Sequence, residues 1–295
     1  SYTNYKKDLV DITNWYTGNT INQNVHVDHH FFYPILSNSD SMFSFILGSD
    51  GGLNLSKIKK NPGIDDDDFF LAGEVTDSWF DTPHGGLNTS LLWGADKVIG
   101  KEQYLIGAQD HGSFLSHKDF NASDTSKYTF TWGGDGFEVL THFTDPNKML
   151  AGSQFNNAIR SLDGGETWSY VSNIPGYRSL DAPFSSQYAS SYQDPDVIYS
   201  MYSTGLGKSS DWGENWKTVQ VPDGNWDLLN NRDIKVSDAN PRFVWTGGYM
   251  GNLSKIYVSD DWGDSFNSVN NFTNSNGQSM GTISGLYTHP NEDST

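Results

Sequence analysis

The stretch RSLDGGETWSYV (160–171) places serine, aspartate, glycine, threonine and tryptophan in an ordered, alternating pattern. The same spacing returns in KSSDWGENWKTV (208–219) and in VSDDWGDSFNSV (258–269). The serines that begin the three copies, Ser161, Ser209 and Ser259, are 48 and then 50 residues apart. A repeat near 50 residues predicts a fold assembled from similar units, as in a propeller or a solenoid.

The sequence around each copy repeats as well. A turn rich in Asp, Pro and Asn (HFTDPNK, SYQDPD, VSDANPR) is followed by a short apolar run, a cluster of small residues and then the motif. Each unit therefore predicts four strands joined by turns, with the motif in the hairpin between the last two. Two earlier units, with Ser56 and Ser116 at the equivalent position, keep the apolar run but only an incomplete motif. The Asp and Trp are missing after Ser56, and the Asp after Ser116 is out of register. Five such units without helical stretches predict an all-β chain, a β-propeller of four-stranded blades.

The predicted domain organisation is one propeller region over residues 1–295 that begins and ends within a blade. We expect blades at about 25–80, 86–131, 133–173, 177–222 and 226–272, with a partial blade at 277–295. Five blades and two fragments would leave unpaired strand edges, which stable proteins avoid. The chain is therefore expected to be part of a six- to eight-bladed ring or of a tandem propeller, with the rest of its own longer chain as a partner.

The motif S-x-D-x-G-x-T-W resembles the Asp-box, or BNR repeat, of the sialidase-like and sortilin-like propellers. Other stretches, VHVDHHFFYP, LGSDGGL, GLNTS, IGAQDHG and WGGDGFEVL, occur in an order similar to that of large secreted bacterial BNR-repeat proteins described as glycosyl-hydrolase-like. The resemblance implies a secreted or cell-surface propeller whose Asp-box hairpins lie on the rim, away from the binding face. It does not decide the activity, because one fold carries many functions.

The residues of the motif have structural uses of their own. The aspartate and serine can hydrogen-bond the backbone of the turn, the glycine allows a positive φ, and the aromatic residue can point into the packing between sheets. We therefore expect a structural and not a catalytic role for the three hairpins. Their residues are Ser161, Asp163, Gly165, Thr167, Trp168, Ser209, Asp211, Gly213, Trp216, Ser259, Asp261, Gly263 and Phe266.

Composition limits the function classes. The formal net charge of −18 disfavours nucleic acid as a partner, since binding it requires Lys and Arg to neutralise phosphates. The absence of cysteine excludes disulfides, thiol catalysis and cysteine-based zinc sites. No apolar run approaches the roughly 20 residues that span a bilayer, so no membrane span is predicted.

Three stretches carry the candidate catalytic residues. In VHVDHH, strand alternation would place His26, Asp28 and His30 on one side and His29 on the other, which suits a divalent metal, an acid–base pair or a hydrogen-bonded network that fixes the blade. AQDHG places Asp110 and His111 at a tight turn, and GGDGFE places Asp135 between glycines with Glu138 nearby. The predicted catalytic set, Asp28, Asp110 and Asp135, could serve as the acid and base of a glycosidase if two of them lie at a suitable separation.

The predicted ligand-binding residues are the histidines and acids of those stretches together with two arginines and a tryptophan. They are His26, His29, His30, His111, Glu138, Arg178, Trp226 and Arg232. Only four arginines occur, which disfavours a sialidase, because that chemistry needs arginines to hold a carboxylate. The run Asp65–Asp68 in GIDDDDFF lacks the spaced pattern of a calcium loop and reads as a solvated loop, with weak Ca²⁺ binding as the alternative.

Two functions remain open at this point. The first is a secreted or cell-surface recognition module that binds carbohydrate or an extracellular protein without turnover. The second is a glycoside hydrolase that acts on a polysaccharide through carboxylates facing the channel. A sortilin-like receptor is disfavoured, because the cysteine-rich module of that family is absent from this sequence. An intracellular assembly factor of the photosystem type is a further alternative, although the long loops rich in Asp and Asn are more typical of an extracellular protein.

Overall fold

The computed structural model describes residues 28–36, 42–50, 52–55, 59–60, 90–117, 128–222, 232–250, 253–269, 276 and 285–292. These ranges contain strands and turns and no helix, so nothing in them has the length and apolarity of a membrane-spanning helix. The contacts of the chain separate two units, Ser1–Ser90 (unit 1) and Leu91–Thr295 (unit 2). The expected single region and its blade limits stay a prediction.

Unit 1 contributes one antiparallel sheet. Its strands, paired in the order β1-β2-β3 with β4 also paired to β2, are β1 (His29–Leu36), β2 (Met42–Ser49), β3 (Gly52–Leu55) and β4 (Lys59–Lys60). A bulge interrupts the β1 register between His29 and Phe31, where a bulged residue is left without a direct partner.

Unit 2 contributes four antiparallel sheets, each a meander of four consecutive strands. The first contains β5 (Leu91–Lys97), β6 (Tyr104–Gln109), β7 (Gly112–Ser116) and β8 (Tyr128–Trp132). The second contains β9 (Val139–Thr141), β10 (Met149–Gly152), β11 (Ala158–Ser161) and β12 (Ser169–Tyr170). The third contains β13 (Tyr188–Ala189), β14 (Ile198–Tyr202), β15 (Gly205–Ser209) and β16 (Lys217–Gln220). The fourth contains β17 (Arg232–Val236), β18 (Val244–Met250), β19 (Leu253–Ser259) and β20 (Asn267–Ser268).

Apolar layers between successive sheets of unit 2 form its core. Leu105 and Met149 belong to the layer between the first and second sheets, and Leu150 and Ile198 to the next layer. A third layer, which includes Met201, joins the third and fourth sheets. Each of these side chains is fully buried, and burial of one such side chain contributes about 1.5 to 3 kcal/mol. The short apolar runs of the repeat form the second strands of the sheets. Their alternate side chains therefore pack against the sheet before and the sheet after, as Met149 and Leu150 of β10 do.

The first strands of unit 2 contact one another from sheet to sheet, β5 with β9, β9 with β13 and β13 with β17. Two glycines of the first sheet, Gly94 in the first strand β5 and Gly107 in the second strand β6, allow the segment that leads into β9 to come close. A Cβ added at Gly107 would lie 2.0 Å from the carbonyl oxygen of Phe137, and one added at Gly94 would lie 2.6 Å from the same atom. The first strands therefore form the inner edge of unit 2, and the fourth strands form its outer edge.

Unit 2 has two faces, defined by the turns at the two ends of its strands. The hairpin face carries the turns between first and second strands (142–148, 190–197, 237–243) and the Ser–Asp hairpins (161–168, 209–216, 259–266). Backbone bonds hold the two together, from Gly164 to Asn147, from Trp212 to Asp196 and from Trp262 to Arg242, at 2.8 to 3.0 Å. The loop face carries the turns between second and third strands and the loops 133–138 and 172–187.

The three Ser–Asp hairpins share one hydrogen-bond pattern. In the first, Ser161 Oγ donates to Asp163 Oδ1 (2.8 Å) and accepts the N–H of Gly165 (2.9 Å), and Asp163 Oδ1 accepts the N–H of Thr167 (2.9 Å). The Thr167 hydroxyl donates to the other carboxylate oxygen, and this bond, followed by the backbone bond, lowers the pKa of Asp163 to about 2.

The second and third hairpins repeat these bonds with other side chains. Asn215 and Ser265 take the place of Thr167 and donate to Asp211 and Asp261 at 2.8 and 2.6 Å. The position of Gly164, with φ of 78°, is filled by Trp212 and Trp262 with φ of 54° and 58°. The aspartates of the motif are thus acceptors within their own turns.

Charged side chains on the third strands of two sheets bond to the Ser–Asp hairpin of the following sheet. Arg160 of β11 donates to the carbonyl oxygen of Trp212 (3.0 Å) and pairs with Glu214. Lys208 of β15 pairs with Asp264 in the following hairpin at 2.8 Å. The hairpins therefore fasten neighbouring sheets to each other as well as closing their own strands.

Candidate functional site

The loop face brings Asp110 and Asp135 together, a separation that the sequence left open. Asp135 Oδ1 accepts the backbone N–H of Asp110 at 2.9 Å, and Asp135 Oδ2 accepts Gln154 Nε2 at 2.6 Å. Asp110 lies in the β6–β7 turn with φ of 64°, and Gln154 lies in the β10–β11 turn. Both oxygens of Asp135 are therefore engaged in joining the turns of two sheets, which is a positioning role.

His111 lies in the same turn as Asp110 and is half-buried. Its Nδ1 is 3.1 Å from the carbonyl oxygen of Gln109, an acceptor, so this nitrogen carries the proton when the ring is neutral. His111 is thereby fixed against its own turn.

The third predicted catalytic residue, Asp28, belongs to unit 1, whereas Asp110 and Asp135 belong to unit 2. Asp28 precedes β1, and its carbonyl oxygen accepts the N–H of Asp50 at 3.2 Å. His29 and His30 are exposed, and His30 Nε2 contacts the Asp50 carboxylate. Because β1 begins at His29 and has a bulge after it, the regular alternation assumed for VHVDHH does not hold here. His26 lies outside the described residues.

Glu138 is placed where the first strands of unit 2 converge. It directly precedes β9 and is half-buried, and burial raises its pKa to about 7. Lys235 on β17 opposes that rise, while Asp233 on β17 and Asp96 on β5 add to it. No hydrogen bond joins the Glu138 carboxylate to another described residue. Glu138 is thus a carboxyl group that holds its proton up to neutral pH.

Two acids near Glu138 were not among the predicted residues. Asp96 Oδ2 accepts the N–H and the hydroxyl of Thr141 at 2.7 and 3.0 Å, and burial raises its pKa. Asp233 Oδ2 accepts the N–H of Leu286 (2.8 Å), and its Oδ1 lies 3.3 Å from Lys235 Nζ. Each is a single acid within a first strand. That position was the available signal, because neither acid is flanked by the glycines that mark Asp110 and Asp135.

Thr141 and Thr288 reveal a repeated contact along the inner edge. The Thr141 hydroxyl, whose one hydrogen is shared between Asp96 Oδ2 and the carbonyl oxygen of Lys97, lies 2.9 Å from the latter, and the Thr288 hydroxyl donates to the carbonyl oxygen of Val236 at 3.4 Å. The segment 285–289 therefore lies along β17 much as β9 lies along β5.

An aromatic ladder crosses the loop face at the inner edge. It consists of Trp93, Phe137, Phe184 and Phe155, whose consecutive rings meet edge to face at centroid distances of 5.5, 5.5 and 5.6 Å. Phe137 is fully buried, but Trp93 and Phe184 are 44 % and 40 % exposed. Trp93 Nε1 is held by Gln109 Oε1 at 3.0 Å. The ladder thus presents two fixed, half-exposed rings on either side of a buried one.

Of the remaining predicted ligand-binding residues, the described part of the chain shows only Arg178 in full. It is exposed, with φ of 52°, and its guanidinium lies 5.4 Å from the Tyr170 ring and 5.3 Å from the Tyr177 ring. Its Nε donates to Asn157 Oδ1 at 3.1 Å. Arg232 begins β17 but its side chain lies outside the described part, as do Trp226 and the run Asp65–Asp68.

Comparisons with known proteins bear on the fold more than on the site. The chain is similar to an ancestral GH74 enzyme, with a TM-score of 0.51 and 13 % identity over 82 % of this chain and 31 % of that one. The fold is a β-propeller. A GH74 xyloglucanase from Xanthomonas campestris is also similar, with a TM-score of 0.47 and 16 % identity over 80 % of this chain and 31 % of that one.

Among curated proteins, the propeller chain is 33 % identical over 102 residues to the vacuolar protein sorting/targeting protein PEP1 of Saccharomyces cerevisiae (strain RM11-1a). That stretch is 34 % of this chain and 6 % of PEP1, so the propeller spans a small part of that relative. No protein-family model matches. The all-β propeller of four-stranded sheets predicted from the repeat is therefore confirmed, and the family within that fold is left to proposal.

Proposed function

We propose that this propeller is a recognition module of the Asp-box type, secreted or displayed at the cell surface, that binds a polypeptide segment of an extracellular protein at its loop face. The aromatic ladder carries the proposal, because half-exposed rings held by a buried neighbour are suited to bury an apolar side chain of a partner. The similarity to PEP1, a protein named for sorting and targeting, supports a protein as the partner.

Two further observations favour protein over carbohydrate and binding over turnover. The loop 172–187, which supplies Phe184, also presents Leu180 with 79 % of its surface exposed, and an aliphatic group does not stack on a sugar ring. Asp135 uses both carboxylate oxygens between the turns of two sheets, which makes it a poor acid or base. Extracellular location rests on the Asp-box resemblance alone.

A peptide library displayed on phage, selected on the immobilised chain, tests the proposal. Peptides bound by the wild type should lose at least 10-fold in affinity with Trp93→Ala and with Phe184→Ala, since truncating a central aromatic anchor costs about 2 kcal/mol. Leu162→Ala, on the hairpin face and 55 % exposed, is the matched control and should bind as the wild type does. Binding on a glycan array with no peptide selected, or unchanged binding by both aromatic variants, would contradict the proposal.

A glycoside hydrolase is the second candidate, and Glu138 is the observation that favours it. A carboxylic acid protonated near neutral pH, with the carboxylates of Asp96 and Asp233 in its vicinity, has the character of a general acid. Release of reducing ends from xyloglucan or another polysaccharide, abolished by Glu138→Gln and retained in Leu162→Ala, would establish this function. The recognition proposal expects no release from any polysaccharide of the panel.

A further inference from the structure

Arg178 differs from most basic residues of unit 2 because no carboxylate of the described residues pairs with it. Six others each form an ion pair with an acidic side chain: Lys97, Lys148, Arg160, Lys208, Lys217 and Lys235. Lys101 and Arg242 also lack an ion pair, but they donate to backbone carbonyl oxygens in turns between first and second strands. Arg178 is therefore the unpaired cation of the loop face, within the part of the chain that the structure describes.

The backbone at Arg178 is held in a conformation that arginine rarely adopts. Its φ is 52°, in the left-handed region, where a side chain with a Cβ is strained and glycine is the ordinary choice. The N–H of Arg178 donates to the carbonyl oxygen of Phe155 at 2.8 Å, and Phe155 is the last ring of the aromatic ladder. The loop 172–187 thus places a strained arginine directly beside the ladder, and strain of this kind is concentrated at functional sites.

Three contacts fix the direction of the Arg178 side chain. Nε donates to Asn157 Oδ1 at 3.1 Å, and the guanidinium lies over the rings of Tyr170 and Tyr177 at 5.4 and 5.3 Å from their centroids. The other N–H donors, on the two Nη atoms, find no acceptor among the described residues, and the side chain is exposed. A guanidinium with both Nη groups open and its stem held in place is prepared for two parallel bonds to a carboxylate.

The charge around Arg178 makes such a bond selective. The chain carries a net charge of −18, and the acids Asp110, Asp135 and Asp181 belong to the same face. An acidic group of a partner is repelled by such a face except where a cation meets it. We infer that the polypeptide segment bound at the loop face carries an Asp or Glu side chain that pairs with Arg178. This pairing rests on the recognition proposed above and adds the charge of the partner to it.

The position of Arg178 also limits where the acid stands in the partner. The main chains of Arg178 and Phe155 are in contact, whereas the guanidinium extends toward Tyr170 on β12, at the outer edge of unit 2. The apolar residue on the ladder and the acid on the guanidinium are thus separated by about the length of one arginine side chain. An extended peptide advances about 3.3 Å per residue, so the acid is expected about two to four residues from the apolar residue.

Peptides selected on the whole chain by phage display provide the probes. We expect Asp or Glu to be enriched two to four residues from an apolar residue. One selected peptide is then made with Glu and with Gln at that position, and both are titrated against the wild type, Arg178→Gln and Arg178→Lys. The wild type should prefer the Glu peptide by about 5-fold, a charge-assisted bond discounted for its exposure. Arg178→Gln should remove the preference and Arg178→Lys should keep part of it, while Arg242→Gln, exposed on the hairpin face, should keep all of it.

The results distinguish the pairing from the recognition on which it rests. Peptides that need Trp93 and Phe184 but show no enrichment of acids would overturn the pairing and leave recognition of a polypeptide intact. Equal weakening of the Glu and Gln peptides by Arg178→Gln would also overturn it, since Arg178 would then only shape the loop. If no peptide is selected, both proposals fail. The melting temperature of each variant, compared with the wild type, shows that the titrated chains are folded.

Discussion

At the scale of single residues, the hairpin aspartates and Asp135 are all hydrogen-bond acceptors of the scaffold. The roles of Asp163, Asp211 and Asp261 follow from the sequence, because a motif that returns at a fixed interval belongs to the repeated scaffold. The position of Asp135 beside Asp110 and its bond to Gln154 were not predictable, since they join turns that are separate in the sequence. Glu138 was among the predicted residues, yet its raised pKa depends on burial by strands far along the chain.

Glu138 should make the stability of the chain depend on pH. Its pKa is about 7 in the folded chain against 4.5 for an unperturbed glutamate, so the folded state binds the proton more tightly. The free energy of unfolding should therefore fall as pH rises from about 4.5 to 7, by on the order of 2 to 3 kcal/mol. Urea unfolding across this range measures it. Glu138→Gln should remove that part of the decline, and Glu166→Gln, on an exposed hairpin position, should leave it in place. Parallel curves for wild type and Glu138→Gln would contradict the assignment.

At the scale of strands and sheets, the apolar runs predicted the second strands well. The run in MLAGSQF became β10, all four of whose residues are buried between two layers. The contacts of the glycines in the first sheet were harder to predict, because a glycine in a strand indicates a close approach but does not identify the neighbouring group. The structure identifies the neighbour of Gly94 and Gly107 as the backbone at Phe137, which belongs to the next sheet.

Gly107→Ala should therefore be strongly destabilising. Its Cβ would lie 2.0 Å from the Phe137 carbonyl oxygen, a backbone atom that cannot move aside without displacing the start of β9. We expect a loss of about 3 kcal/mol in the free energy of unfolding, measured with urea. Gly133→Ala is the control, because its Cβ would come no closer than 3.3 Å to a side-chain atom and the site is exposed. Equal effects of the two substitutions would show that the close approach does not hold the sheets in place.

At the scale of the whole molecule, composition and repeat together predicted an acidic all-β propeller. The repeat could not predict the ligand, because it encodes what the sheets share, whereas recognition depends on where they differ. Arg178 beside its two tyrosine rings and the exposed rings of Trp93 and Phe184 are such differences. Their meaning depends on neighbours that only the folded chain supplies.

The net charge of −18 should make the chain more stable in salt. Like charges repel in the compact state, and raising NaCl from about 10 to 200 mM shortens the Debye length from roughly 30 Å to below 10 Å. We expect a rise in Tm of roughly 2 to 4 °C at pH 7.5, equivalent to about 1 kcal/mol. Differential scanning fluorimetry measures it, with a neutral solute at equal osmolality as the control. A fall in Tm would mean that local pairs such as Lys208 with Asp264 outweigh the overall repulsion.

The meander of each sheet has a consequence for biosynthesis. All four strands of the second sheet lie within residues 139–170, so its pairing involves only neighbouring stretches of chain. Such a sheet can form on the ribosome soon after its last strand emerges, before the next sheet exists. Its second apolar face then stays exposed to solvent until the following sheet folds and covers it. Folding of this molecule is therefore expected to advance from the amino end in steps, each exposing a temporary apolar surface that a pause in translation would prolong.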